Sequence, residues 1–164
     1  MLLSKAIEEV EQWFFNVKIT AEDGSVIELG TAEQQASGQG NFLTDVNIYL
    51  NSTDDKKKEK SSAMLAKIEI FGEISNSKDK ENNPKPLYKA LFDWAKALNK
   101  SQWYRTVDIE IKEDGENEET FRKYHFEKVF VIDYKEFYGK SQDGNFFQLY
   151  LKQLENNFKY IEAY

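Results

Sequence analysis

Cysteine is absent from this chain of 164 residues, and histidine occurs once. The first absence excludes disulfides, thiolate zinc sites and cysteine nucleophiles. The second excludes a multi-histidine metal site and leaves His125 as the sole base open to a Ser-His-Asp arrangement. No apolar run reaches the roughly 18 residues that a membrane-spanning helix needs. Basic residues are in deficit, 22 Lys and Arg against 29 Asp and Glu, for a formal net charge of -7. Tight nucleic-acid binding requires a basic footprint that displaces counterions, so no specific nucleic-acid partner is expected. The same charge opposes docking on an anionic membrane and suits a surface that repels other anions. Met1 to Gln12 carries three glutamates and no basic-then-apolar arrangement, unlike a signal peptide. The expectation is assembly in the cytoplasm.

What is present is ordinary for a soluble globular chain: 40% hydrophobic and 31% charged residues. The length fits one domain, residues 1–164, able to bury a core. Aromatics make up 15%, mostly Phe and Tyr. They concentrate in strand-like stretches, where such side chains fit a pleated surface.

Leu3, Ile7, Val10 and Phe14 recur at helical spacing behind a Ser4 cap, which predicts a short N-terminal helix. Phe15, Val17 and Ile19 then alternate with polar residues. Glu22-Asp23-Gly24-Ser25 separates them from Val26 to Leu29, and Asp-Gly between alternating runs predicts a hairpin. Thr31 to Asn41 is polar and without period. Val46, Ile48 and Leu50 predict another strand, followed by a Lys- and Asp-rich loop from Asn51 to Ser62. Ala66, Ile68, Ile70 and Ile74 share one face of a long strand. Gly72 within it marks a bulge or a close approach. Loops of about a dozen residues in a small domain are usually functional or disordered.

After the polar loop Ser75 to Lys85, Pro86 suits a first helical position. A helix is predicted from Pro86 to Leu98, with Leu87, Leu91, Trp94 and Leu98 on one stripe and Tyr88, Phe92 and Ala95 beside it. Asn99 is read as a left-handed stop. Val107, Ile109 and Ile111 form the next strand. Tyr124, Phe126, Phe130, Ile132 and Tyr134 share one parity, whereas Val129 and Val131 take the other. That stretch is either buried on both faces or kinked near Lys128. Phe147, Leu149 and Leu151 alternate after a turn from Gly139 to Asn145. Strand and helix both fit Leu154 to Tyr164. The fold class is mainly β with one central helix (α+β): a small β-barrel or two-sheet sandwich with the helix packed at its edge.

No constellation carries chemistry. His125 lies between Tyr124 and Phe126 with no serine in a recognisable elbow, and is read as structural. The run from Glu113 to Glu119 lacks calcium-loop spacing and reads as a solvated hairpin tip. Asp54 to Lys60 mixes signs and reads as a solvated loop. Gly38-Gln39-Gly40 has no strand before it and no helix after it, so it is not a phosphate cradle. No catalytic, cofactor-binding or metal residue is assigned, and no cofactor is expected.

The order of parts does resemble a known family. The residues that carry it are Lys67 to Ile74, the helix from Pro86 to Trp94, Thr106 to Ile111, Tyr124 to Val131 and Phe147 to Leu151. Together they span about half the chain. This is similar to the tube proteins of contractile injection machines: the Hcp proteins of type VI secretion and the tail-tube proteins of phages and tailocins. There a strand precedes a single helix and strands follow, with a Tyr-x-Phe-x-x-Val-x-Val pattern like that of Tyr124 to Val131. The resemblance implies a non-enzymatic tube subunit whose barrels join edge to edge into hexameric rings that stack. It implies self-association, sheath, baseplate or spike partners, and cargo in an acidic lumen. Thr31 to Asn41 would then be the segment that reaches the next ring. Two other readings stay open: a ligand-binding or enzymatic barrel with an aromatic-lined cavity, and a small acidic inhibitor or immunity protein.

Overall fold

The computed structural model describes residues 13–30, 41–52, 64–74, 85–113, 120–140, 144–154 and 161–163. Alternating runs become strands: β1 (Trp13–Thr20), β2 (Val26–Gly30), β3 (Asn41–Ser52) and β4 (Met64–Ile74). Two helices follow, α1 (Lys85–Lys96) and the single turn α2 (Lys100–Trp103). The chain then returns to strand as β5 (Arg105–Glu113), β6 (Thr120–Phe137), β7 (Asn145–Gln153) and β8 (Ile161–Ala163).

The β1–β2 hairpin turns at Asp23-Gly24. Gly24 takes φ 86°, a conformation that glycine adopts without steric cost. The Asp23 carboxylate accepts from the Ser25 backbone N–H at 2.9 Å and from the Ser25 hydroxyl at 2.6 Å. The predicted hairpin is therefore found, with its turn chemistry intact.

The strands run in the order β5-β1-β2-β3-β4-β7-β6-β8, and β5 also pairs with β6. That extra ladder closes the sheet into a barrel. One circuit can be followed residue by residue: Lys123 opposes Glu110, Glu110 opposes Asn16, Asn16 opposes Gly30, and Gly30 opposes Phe42. Phe42 opposes Glu73, Glu73 opposes Phe146, and Phe146 opposes Phe137. The path leaves β6 at Lys123 and returns to it at Phe137. Closure of a barrel demands such a stagger. It also explains why β6 is 18 residues long. Its first half pairs with β5 and its second half with β7.

A strand that serves two sheets must bend, and β6 does so at two bulges. Arg105 opposes Val129 while Val107 opposes Phe126, so β6 carries one extra residue there. Lys128, inside that bulge, takes φ 58°, the left-handed region that non-glycine residues rarely enter. The Gln153 side-chain amide donates to the Glu127 carbonyl at 2.9 Å, and Leu154 N–H donates to the Lys128 carbonyl at 2.8 Å. The bulge resets parity, so Phe126 and Val129 both face the core and are fully buried. The kink near Lys128 is the alternative that holds. A second register shift between Val131 and Asp133 turns Ile132 outward, 52% exposed. Ile132 therefore does not share the core face with Phe126.

The barrel interior is filled. Val17, Ile19, Ile68, Ile70, Ile109 and Leu149 have almost no accessible surface. An aromatic-lined ligand cavity is not what the strands enclose. Near Gly72 the bulge lies in the partner strand: the register shifts between Leu43 and Asp45, and the Thr44 hydroxyl donates to the Phe71 carbonyl at 3.2 Å.

Helix α1 packs against β6 and β2. It buries Tyr88, Leu91 and Trp94, while Leu87 is half-buried. Four expectations for this region are corrected. The helix ends at Lys96, Leu98 is 85% exposed, and Phe92 is 50% exposed. Asn99 is extended, at φ -94° and ψ 131°, and opens α2 instead of closing α1 in a left-handed turn. The cause lies in two indoles. Trp103 Nε1–H donates to the Ala97 carbonyl at 2.7 Å, and Trp94 Nε1–H donates to the Trp103 carbonyl at 2.9 Å. These bonds satisfy a carbonyl at the helix end and fold the chain back before Leu98 can join the stripe.

Phe14 belongs to β1 and is buried, opposite Lys112, so it is not part of a helix. The rest of the predicted N-terminal helix lies outside the described residues. So do 31–40, 53–63 and most of Glu113 to Glu119. Of the tail left open between strand and helix, Ile161–Ala163 is strand.

Two outcomes follow. Lys128→Gly should raise unfolding stability by roughly 0.5 kcal/mol, because relief of left-handed strain outweighs added chain entropy. Lys128→Val should lower it by about 1 kcal/mol or more. Urea unfolding at an unchanged slope reads both. Leu91→Ala should cost about 2–5 kcal/mol by leaving a cavity under α1, read in the same titration.

Candidate functional site

The outward surface divides into two faces, each set by strand register. The first covers β2, β1, β5 and the first half of β6. Its outward positions carry alternating charge. Lys18 opposes both Glu28 and Asp108, and Glu110 opposes Lys123. Opposite charges directly across a ladder are mildly stabilising. The Thr120 hydroxyl donates to Glu110 Oε1 at 2.6 Å. Lys18, Glu28, Asp108, Glu110, Lys123 and Asn16 line an open trough of about 320 Å³.

His125 stands at one side of this face. Its Nδ1 lies 2.5 Å from Asp108 Oδ1, and its Nε2 lies 3.4 Å from Glu127 Oε1. Both ring nitrogens face carboxylates, so neither is placed to activate a nucleophile. Burial works against the charged ring, but hydrogen bonds and charge from Asp108 and Glu127 outweigh it. They hold the imidazole above its usual value of 6.5. Among the described residues no group of three or more His, Asp or Glu is placed to hold a metal. The runs Asp54 to Lys60 and Gly38 to Gly40 lie outside the described residues.

The second face belongs to the sheet β3-β4-β7 and the second half of β6. Cross-strand rows here mix aromatic and charged residues. The Phe71 and Tyr150 rings meet edge to face at 5.8 Å, and Lys135 Nζ lies 5.6 Å from the Tyr150 ring centre. On the other side of this sheet, in register with the buried Leu149 and Phe147, Glu136 accepts from the Tyr134 hydroxyl at 2.6 Å and from the Tyr138 hydroxyl at 2.9 Å. Burial first, then the Glu136 carboxylate, pushes the Tyr138 phenol up to about 12. Tyr134 is raised further for the same reasons.

The borders of this second sheet are its most consequential feature. β3 pairs with β4 along its length, but on its other edge it meets β2 only at Phe42. From Leu43 to Ser52 no described strand pairs with that edge. β6 pairs with β7 from Val129 to Phe137. Its opposite edge loses β5 after Val129, and no described strand replaces it. Exposed apolar side chains sit on both border strands: Tyr49 and Leu50 on β3, Ile132 and Phe137 on β6. Nothing in the sequence marks these borders beyond the alternation itself, because pairing is a property of the closed barrel. The Tyr-x-Glu-x-Tyr spacing around Glu136 was visible, but only the strand assignment gives it meaning.

No helix of the described residues is long and apolar enough to cross a membrane. No protein-family model and no curated protein matches the sequence. Solved structures do match in three dimensions. The Hcp1 protein from E. coli EAEC 042 has a TM-score of 0.56 at 11% identity, covering 92% of this chain and 96% of that one. A second Hcp protein gives 0.55 at 12% identity, covering 92% and 98%. A chain of the anti-feeding prophage baseplate gives 0.50 at 9% identity, covering 92% and 91%. At such identities the likeness is one of fold, and it extends over nearly the whole of each chain. The chain has the Hcp-like tail-tube fold, a β-rich barrel with few helices.

Proposed function

We propose that this chain, residues 1–164 as one barrel domain, is a structural subunit of the inner tube of a contractile injection machine. The machine would be a phage tail, a tailocin or a type VI secretion system. The subunit assembles in the cytoplasm with copies of itself into rings that stack, and it performs no catalysis. The observation that carries this reading is the four-stranded sheet β3-β4-β7-β6 with two borders that no described strand pairs, set in a fold shared with Hcp proteins. Unpaired strand edges template pairing with another chain. Here the two edges differ, so β3 of one copy meets β6 of the next. Such a contact is heterologous, and heterologous contacts make rings when the rotation closes. The match to a baseplate described as 6-fold symmetrised supports a ring of six. Sheath, baseplate and spike proteins are the partners such a tube would meet.

On this reading the outward face of the four-stranded sheet lines the channel. It presents Asp45, Glu69, Glu73 and Asp133 against Lys67, Lys135 and Lys152, with aromatic rings between them. Charge is nearly balanced there, so a strongly acidic wall is not part of the proposal.

The absence of native cysteine makes the ring contact directly testable. Asn47→Cys protein is mixed with Asp133→Cys or with Lys135→Cys protein and oxidised. Disulfide-linked dimers should form in one of the mixtures and not with the cysteine-free parent. Placing both cysteines in one chain should give a ladder of bands ending at a closed ring, visible as annuli in negative-stain images. A strict monomer at high concentration, with no cross-link in any pairing, would overturn the assignment.

A further inference from the structure

Rows of residues in direct register cross the four-stranded sheet, and each row ends at a border position on β3 and one on β6. One row runs Asp45, Phe71, Gln148, Lys135. The next runs Asn47, Glu69, Tyr150, Asp133. A third runs Tyr49, Lys67, Lys152, Phe130. All three lie outward, because the alternate positions Leu149 and Leu151 are buried in the core. Ile132 sits in the β6 bulge and belongs to no row. The first row carries opposite charges at its two ends, and the third carries an aromatic ring at each.

Asp45 is exposed and, among the described residues, makes no ion pair. Lys135 is also exposed, with its ammonium 3.4 Å from Asp133 of its own strand. An ammonium has three N–H donors, so that bond leaves others to give. Successive strands from β3 to β6 are antiparallel. Rotation about an axis along the strands therefore sets β6 of one copy antiparallel to β3 of the next. The outward face must stay outward across the joint, so only offsets of an even number of residues are open. With no offset, each row continues into the same row of the next copy: Lys135 meets Asp45, Asp133 meets Asn47, and Phe130 meets Tyr49. A slip of two residues one way sets Asp45 against Asp133. A slip the other way sets Asp45 against Phe137 and Tyr49 against Asp133. Opposite charges and aromatic pairs stabilise facing positions, whereas like charges destabilise them.

A groove beside β6 agrees with the same register. It holds about 290 Å³ and is walled by Trp94, Ala97, Trp103, Phe130 and Val131. Without offset, Ile48 draws level with Val131, since both belong to the row through Ile68 and Leu151. Leu50, the next residue on that face of β3, then reaches the groove. It is half exposed, although its register partner Ala66 is fully buried.

We propose that copies join in this unshifted register, with Asp45 of one copy paired to Lys135 of the next and Leu50 seated in the groove beside Trp103. The proposal rests on the tube-subunit reading above and names the residues of that surface that carry the contact. The groove is filled only when a second copy supplies Leu50.

The two cysteine mixtures decide the register. Facing positions lie about 5 Å apart and diagonal ones about 7–8 Å, and a disulfide needs Cα atoms within about 7 Å. Asn47→Cys should therefore link to Asp133→Cys at least several-fold faster than to Lys135→Cys. Faster linkage through Lys135→Cys would overturn the register while leaving the tube reading intact. A strict monomer with no link in either mixture would remove both. Asp45→Lys and Lys135→Asp should each raise the concentration for half-assembly several-fold, measured by sedimentation, and the double variant should return it close to the wild-type value. A double variant no better than the singles would overturn the charge pair. Leu50→Ser should also raise that concentration several-fold while leaving the urea midpoint of the monomer in place, and unchanged assembly would overturn the seat in the groove.

Discussion

The stagger of the barrel governs the rest of the molecule. The ladder that leaves β6 at Lys123 returns to the same strand at Phe137. One strand must therefore belong to two sheets, and it must turn between them without losing its hydrogen bonds. The Lys128 bulge makes that turn, at the cost of a left-handed lysine, and Gln153 and Leu154 hold its carbonyls. Because the bulge adds a residue, apolar side chains of both parities reach one core. The open borders have the same origin. A staggered barrel cannot pair every strand along its full length, so β3 runs past β2 and β6 runs past β5.

The two outward faces differ in a way that follows from pairing. On the β1–β5–β6 side, opposite charges face each other across closed ladders and largely cancel. On the β3–β4–β7 side, aromatic rings and charges alternate up to unfinished edges. An excess of acidic over basic residues keeps free chains soluble and apart. In the proposed ring, edge pairing would have to supply enough directional bonding to overcome that repulsion. Backbone ladders are suited to this, because they are insensitive to net charge and fix register as well as affinity.

Much of the strand content could be read directly. Val17 and Ile19, Val107 and Ile109, and Phe147 to Leu151 alternate, and each run is a strand with those residues inside. The hairpin at Asp23-Gly24 was legible because φ above zero has a chemical marker in glycine. The parity conflict between Phe126 and Val129 left two readings, burial on both faces or a kink near Lys128, and the register of β5 against β6 decides for the kink. The failures have a common cause. Leu98 fits the helical stripe, but two indole hydrogen bonds from residues six and nine positions apart end the helix first. Ile132 fits the strand parity, but a bulge set by β7 turns it out. The pairing of His125 with Asp108 spans two strands, and no local pattern encodes it. Long-range register decides all three, and a single sequence carries register only implicitly.

The contact between β2 and β3 rests on one register pair, Gly30 with Phe42, and it is the sole parallel pairing among the described residues. Every other seam is antiparallel. Short-range hairpins can zip early, whereas this join waits until distant parts of the chain have met. It is thus the natural last step of folding and the natural first place to gape. A barrel built this way resembles a clasp: its halves are firm before it shuts, and its weakest stitch lies beside the edge of β3 that no described strand covers.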